Sequence, residues 1–473
     1  MTDLHLLDAT AALGLFRAKE LSPVELMRAV IERHEHVGAP INAYTETMFD
    51  EALDAARDAE ARYQQGVERP GLLGLPVATK EKHMLAGRSL SQGLTFRRDD
   101  VSDVTHPVVE RIRRAGGIVH ARTTSPEYSC ATVTHSPLWG VTRNPWNLDY
   151  SPGGSSGGSG AALAAGFTPL ATASDIAGST RVPAAFTGTV GYKAPYGRIP
   201  GVRPLSADPY RGDGPMARTI ADAALLANVM LGRDPDDHSS IWPDITIPVR
   251  ADVADLRIAL CMRLGDYRVT TEVEQHTYAV ARALADAGAV VEDVELPWSS
   301  RAIAETAFTH FGHILGPAME DETAGHEAEL AEYTRRFIAD ARAAAERNRF
   351  VDGLRAETRL QSELATAMRG FDALICPTSC TPALAADGDY LDGIDIDGVH
   401  LEHYWESHLT LPFNIANRCP VLAVPSGVAS TGVPTGVQIV GHPYDDASVF
   451  RVGAALEQFR PRGNNHPDIE SLR

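Results

Sequence analysis

The chain has 473 residues, 44% of them hydrophobic and 22% charged, and a formal net charge of −19. That balance suits large buried cores and excludes a disordered or fibrous protein, while the excess negative charge excludes attraction to nucleic acid or to an anionic membrane by bulk electrostatics. Only Lys19, Lys80, Lys82 and Lys193 are lysine among 43 basic residues, so each poses a specific question, because lysine can lose its proton near neutral pH and arginine cannot.

In chain order, the N-terminus MTDLHLLDAT lacks the basic and apolar stretches of a leader. No window approaches the ~18 apolar residues of a membrane helix, so the chain reads as soluble and cytoplasmic. Residues 1–70 read as an N-terminal helical region packed on the core. Ser22-Pro23-Val24-Glu25 is a capping box with proline at the first helical position, and a second amphipathic helix runs from 49 to 65 and stops at Gly66. From residue 71 the texture changes to strand (75–78), helix (108–115, ended by Gly116-Gly117) and strand (118–121), the alternation of an α/β architecture. Residues 151–166, SPGGSSGGSGAALAAG, run straight into an alanine-rich helix and then the apolar segment 167–173. A flexible linker would have polar, structureless flanks. The segment therefore reads as a close-packed turn that aims backbone amides at something. Further strands are expected at 256–261, 289–296, 421–424 and 437–440, with helices at 271–287 and 446–459. Between them, 300–370 is helical and polar on one side, 385–410 is loop-like, and the residues from Pro461 onward read as a loose tail.

The five cysteines, Cys130, Cys261, Cys376, Cys380 and Cys419, are odd in number and scattered, which argues against a disulfide framework and fits a reducing compartment. Cys376 and Cys380, with a proline between them and no second pair, fail as a zinc site. His400, His403 and His408 lack a matching carboxylate pattern, and His34 and His36 face apart on a helix. No metal and no cofactor are expected. G-x-x-x-x-G-K-[ST], S-x-x-K and H-E-x-x-H are absent, which removes nucleotide, penicillin-binding and zinc-protease readings.

Three segments carry a coherent chemistry: Gly74-Leu75-Pro76-Val77-Ala78-Thr79-Lys80-Glu81-Lys82, Gly153-Gly154-Ser155-Ser156-Gly157-Gly158-Ser159, and Ser174-Asp175-Ile176-Ala177-Gly178-Ser179-Thr180-Arg181. Lys80 precedes Ser155 by 75 residues and Ser155 precedes Ser179 by 24. With Arg143-Asn144-Pro145-Trp146, Gly214-Pro215-Met216-Ala217-Arg218-Thr219 and Gly436-Val437-Gln438-Ile439-Val440-Gly441 in the same order, the chain resembles the amidase signature family from about residue 20 to 460. The resemblance implies one large α/β domain over 71–465. Its central mixed, twisted sheet would be covered by helices on both faces, and a variable insert at about 300–410 would shape the substrate pocket. It implies a Ser-cisSer-Lys hydrolase: Ser179 as nucleophile, Ser155 as bridging acid/base after a cis Gly154-Ser155 bond, and Lys80 as base.

Physics can be set beside that mapping. A free lysine of pKa ~10.4 is neutral in fewer than about one molecule in 10³ at pH 7. Burial beside neutral polar groups could bring it to ~7–8, which arginine could not follow. The backbone amides of Ile176, Ala177, Gly178 and Ser179 form the run the family uses as an oxyanion hole, Asp175 and Arg181 either hold that loop or form a surface ion pair, and Ser156 stands behind the bridging serine. Ala177 departs from the family's Thr-Asp-Thr-Gly-Gly-Ser, and alanine would be strained there if the position required positive φ. Glu81-Lys82-His83 departs from the Asp-Asn that often follows the base; Lys82 either points with Lys80, depressing its pKa, or lies exposed where the chain turns.

The implied reaction is hydrolysis of a carbon–nitrogen bond in a linear amide: a carboxamide, an aryl amide or a carbamate. Tyr128 and Ser129 ahead of the loop, the 300–370 helices and Tyr404-Trp405 are expected to wall the pocket, with an aromatic or medium-sized apolar acyl group as substrate. Two alternatives stay open, a glutamyl-tRNA amidotransferase component of the A type that works with partner chains and a non-catalytic binding protein on the same fold. The partners implied are a small-molecule amide or carbamate, no nucleic acid, no membrane and, as one option, a second copy in a homodimer.

Overall fold

Among the described residues, eleven strands form one mixed sheet. In spatial order they are Tyr44–Thr47, Ile118–Thr123, Pro76–Lys80, Leu170–Asp175, Gly212–Ala217, Val190–Lys193, Val421–Val428, Pro434–Gly441, Ala373–Pro377, Arg257–Leu260 and Val290–Asp293. The computed structural model describes residues 3–66, 70–242, 244–460 and 466–469. Pro76–Lys80 runs parallel to both of its neighbours, and Leu170–Asp175 is antiparallel to Gly212–Ala217. Lys80 and Asp175 thus end two adjacent parallel strands, at the carboxyl edge where open α/β sheets place their sites.

Alternation along the strands decides which helices cover which face. Ile258, Leu260, Val77, Ile439 and Leu170 join the cluster formed by the helices Ala9–Ala18, Pro23–Val37, Ile220–Met230, Thr271–Asp286 and Asp446–Phe459. Ala259, Leu374, Cys376 and Val440 turn the other way, against Ser300–His313 and Glu332–Arg347. The N-terminal helices share the first cluster with the sheet. Their entry is fixed by the capping box: the Ser22 hydroxyl accepts from Val24 N at 3.0 Å and Ser22 N donates to Glu25 Oε2 at 2.8 Å. Fragments of the expected loop 385–410 pair as a hairpin, Ile394–Ile396 with Val399–Leu401. Of the tail, residues 461–465 and 470–473 lie outside the described residues, and Ile469 is buried in one apolar cluster with Val37, Ile41 and Phe167, so that part is docked and not loose.

Two short helices, Gly157–Ala164 and Arg181–Thr187, pack where the sheet presents mostly alanine, Ala78, Ala171, Ala173 and Ala423, with Met216 and Tyr44 beside them. Small residues on the sheet let these helices, and the serine loops that precede them, sit close to the strands. At Gly158 a Cβ would lie 2.5 Å from Thr124 N and 2.7 Å from Thr124 O. Backbone cannot yield as a flexible side chain can. Gly158→Ala is expected to destabilise the protein by about 1–3 kcal/mol or more, read as a lowered urea midpoint; an unchanged midpoint would show that the loop is not close-packed.

Candidate active site

Lys80 is fully buried at the end of its strand, with its backbone N–H donating to Thr172 Oγ1 at 3.0 Å. Its Nζ lies 2.7 Å from Ser155 Oγ, 3.0 Å from Ser156 Oγ and 3.1 Å from Ser174 Oγ. Among the described residues, three neutral hydroxyls and no carboxylate contact the amine. A neutral amine has two donors and one lone pair, so it can give protons to two of these hydroxyls and accept one from the third. Burial, and then the nearby Lys82 charge, hold the Lys80 pKa well below the ordinary lysine range, against the weaker opposing fields of Asp213 and Asp175.

The Gly154–Ser155 peptide is cis, as the resemblance implies. Gly153 to Gly157 also spells G-x-S-x-G, the pattern of a nucleophile elbow, but no strand leads into it and Ser155 turns to the Lys80 amine. Ser155, Ser179 and Gly178 line one small cavity of ≈ 90 Å³. Among the described residues nothing hydrogen-bonds the Ser179 hydroxyl, which is left for a ligand; the Ser179 carbonyl accepts from Ser156 N at 3.2 Å.

The amides of 176–179 do not stand alike. Gly178 N already donates to Asp175 Oδ1 at 2.8 Å, so this amide is committed to the loop, whereas those of Ile176, Ala177 and Ser179 have no acceptor among the described residues. Positive φ falls on Gly178, at 124°, and not on Ala177, so alanine is accommodated without strain. A Cβ at Gly178 would meet Thr410 Cβ at 2.6 Å. Thr410 itself donates to the Ala177 carbonyl at 2.6 Å and pins the loop from outside.

Asp175 and Arg181 form a buried pair and not a surface one. Arg181 Nε donates to Asp175 Oδ2 at 3.0 Å and Nη2 to Oδ1 at 2.9 Å, with further bonds to Thr410 O, Gln438 Oε1 and Asn414 Oδ1 at 2.8, 2.6 and 2.6 Å. Burial alone would raise the Asp175 carboxyl, but the Arg181 guanidinium overrides it and holds the group below the usual carboxylate range. Arg181→Met would leave that carboxylate buried and uncompensated, and is expected to cost about 3–5 kcal/mol in equilibrium unfolding. A loss below about 1 kcal/mol would count the pair as incidental.

The three residues expected at the pocket, Tyr128, Ser129 and Tyr404, all line the cavity. Tyr128 and Ser129 both adopt positive φ, at 50° and 62°, and the Tyr404 hydroxyl donates to Cys130 O at 2.8 Å. The 300–370 helices supply Phe308, Phe311 and Phe337, and the ring centres of Trp405 and Phe308 lie 4.4 Å apart. The loop histidines do not act together: buried His408 bonds Thr132 and Ser379, whereas exposed His400 bonds Asp395.

Lys82 combines parts of both expectations: it lowers the Lys80 pKa, and the chain turns, but the side chain is not exposed. The chain turns after the strand, with His83 N donating to Lys80 O at 2.8 Å, yet Lys82 is half-buried and lines the cavity. Burial, then Arg211, lower its pKa to about 7. Sequence reasoning missed Arg211, Thr410 and Asn414, brought in by distant segments, and gave no role to Ser174, which lies inside the third quoted segment. It also missed His83, His106 and Asp213, whose donor atoms lie within 4.8 Å of one another, the spacing of a cation site. Hydrogen bonds account for that trio: His83 Nε2 lies 2.9 Å from Asp213 Oδ1, and His106 Nε2 lies 3.4 Å from Oδ2 while its Nδ1 accepts from Val108 N.

The sequence pattern of the family described as Amidase matches residues 25–450. The A-type subunit of the glutamyl-tRNA(Gln) amidotransferase from Chloroflexus aurantiacus is 32% identical over 494 aligned residues, covering 99% of this chain and 100% of that protein. Among solved structures, a bacterial aryl acylamidase of the amidase signature enzymes superposes with a TM-score of 0.90 at 27% identity, covering 99% of both chains. The A-type subunit of the Thermotoga maritima glutamyl-tRNA(Gln) amidotransferase superposes with a TM-score of 0.80 at 26% identity, again over 99% of each. Among the described residues, no helix is long and apolar enough to cross a membrane. With a family match through most of the chain and a full-length likeness in structure, the protein belongs to the amidase signature family, whose members are enzymes acting on carbon–nitrogen bonds.

Proposed function

We propose that the protein is an amidase that hydrolyses a linear amide or carbamate through an acyl-enzyme on Ser179. The observation that carries this reading is the Lys80 amine, buried among neutral hydroxyls 2.7 Å from Ser155 and beside the cavity that Ser179 lines. As Ser179 Oγ bonds to the substrate carbonyl carbon, its proton passes to Ser155, whose own proton passes to Lys80. The oxyanion that forms is met by the free amides of Ile176, Ala177 and Ser179. When the carbon–nitrogen bond breaks, Ser155 protonates the leaving amine and is reprotonated by the Lys80 ammonium. Water then attacks the acyl-enzyme by the same relay, releasing the acid and restoring Ser179.

The aromatic walls favour an apolar or aryl group next to the scissile bond, and the likeness to an aryl acylamidase, at a TM-score of 0.90, supports an aryl amide as substrate. A second reading, an amidotransferase component of the A type, is favoured by the 32% identical relative. Turnover by the purified chain across carboxamides, anilides, carbamates and esters tests the first reading. Hydrolysis of simple anilides is the expected result. No turnover by folded protein, together with copurifying partner chains, would favour the second.

A further inference from the structure

The small cavity at Ser179 adjoins a wider polar cleft of ≈ 680 Å³, and the two share Lys82, Arg211 and Gly212. Two cations therefore stand at the passage between them. Neither side chain has a hydrogen-bond or ion-pair partner among the described residues, although both are partly buried. The carboxylates around the cleft are already engaged. Asp213 is held by His83 and His106, Asp100 and Glu322 by Arg97, and Asp237 by Gly201 N and Ser239. Burial, then Arg211, disfavour the Lys82 ammonium while Asp213 opposes them, and an anion between the two cations would offset their repulsion.

We propose that Lys82 and Arg211 bind a carboxylate carried by the substrate, at the passage between the apolar cavity and the polar cleft. The assignment rests on the acyl-transfer reading of Ser179 and narrows its substrate to amides with an apolar body and one anionic end. A guanidinium offers a planar fork that fits both carboxylate oxygens, and a lysine adds a point charge beside it. One carboxylate has two oxygens, so it can span the guanidinium and the ammonium together.

The test uses Ser179→Ala protein, which holds ligand without turning it over, and two matched pairs of probes. Glutaranilate is compared with 5-methylhexananilide, and 4-acetamidobenzoate with 4-isopropylacetanilide, the isopropyl group replacing the carboxylate on the acyl or the amine side. By calorimetry the carboxylate member of at least one pair should bind about 10- to 100-fold more tightly. The preference should fall to near unity when Lys82→Met or Arg211→Met is added, and persist with Lys82→Arg. Equal affinities in both pairs, no binding of the carboxylate members, or a preference that survives both Met substitutions would overturn the proposal. Hydrolysis of neutral anilides by the wild type without any such preference would remove the anion site and leave the amidase standing. A carboxylate preference in binding with no turnover of any amide would do the reverse.

Discussion

Ser179→Ala is expected to lower kcat for amide hydrolysis by about 10⁴- to 10⁶-fold. The oxyanion amides and the pocket would remain in this variant, but no oxygen would be left to form the acyl bond. Residual rate would come from positioned water alone. The comparison is clean because the Ser179 side chain makes no hydrogen bond among the described residues, so its removal breaks no network. Steady-state rates on an anilide, measured beside an unchanged thermal midpoint, check it. A variant within tenfold of wild type would remove Ser179 from the chemistry.

Lys80→Arg should be nearly as damaging, with a loss of several orders of magnitude. Arginine keeps the charge and much of the length but cannot become neutral, and the relay needs a base with a free lone pair. The same logic fixes the pH profile. Lys80 acts in its unprotonated form, so kcat/KM rises with pH through the lowered lysine pKa and levels above it. Lys82 and Arg211 press that pKa down while Asp213 and Asp175 pull it up, so a neutral residue at 82 should move the rising limb to higher pH. A limb unmoved by Lys82→Met would mean that the two lysines do not sense each other. Near-normal rates in Lys80→Arg would sink the base assignment.

How far these roles were legible in the sequence depended on distance along the chain. Ser155, Ser179 and Lys80 lie in local segments with a distinctive spelling, and the glycine-serine run announces its tight packing because its flanks are apolar. The anchors of the loop do not. Thr410 and Gln438 reach Arg181 from 229 and 257 residues away, and no local pattern encodes such a meeting. Ala177 drew attention as a departure from glycine, yet the left-handed backbone falls one residue later, a matter of φ that spelling alone leaves open.

The lysine count was more informative than it first looks. Lys19 is the exposed exception, closing a helix with φ 61°. Lys193 is buried against Asn417 and Cys419, Lys80 is buried among hydroxyls, and Lys82 borders the cavity. Apart from Lys19, lysine survives at positions that exploit a compact or removable charge. The direction of Lys82 depended on a turn of two residues, which hydrophobic periodicity does not resolve.

The central claim is a covalent bond to Ser179. Mass spectrometry of wild-type protein, acid-quenched during turnover of an activated ester or anilide, tests it most directly. The account predicts an added mass equal to the acyl group, located on Ser179 and absent from Ser179→Ala. Turnover with the acyl group on another residue, or an adduct that persists in Ser179→Ala, would contradict it.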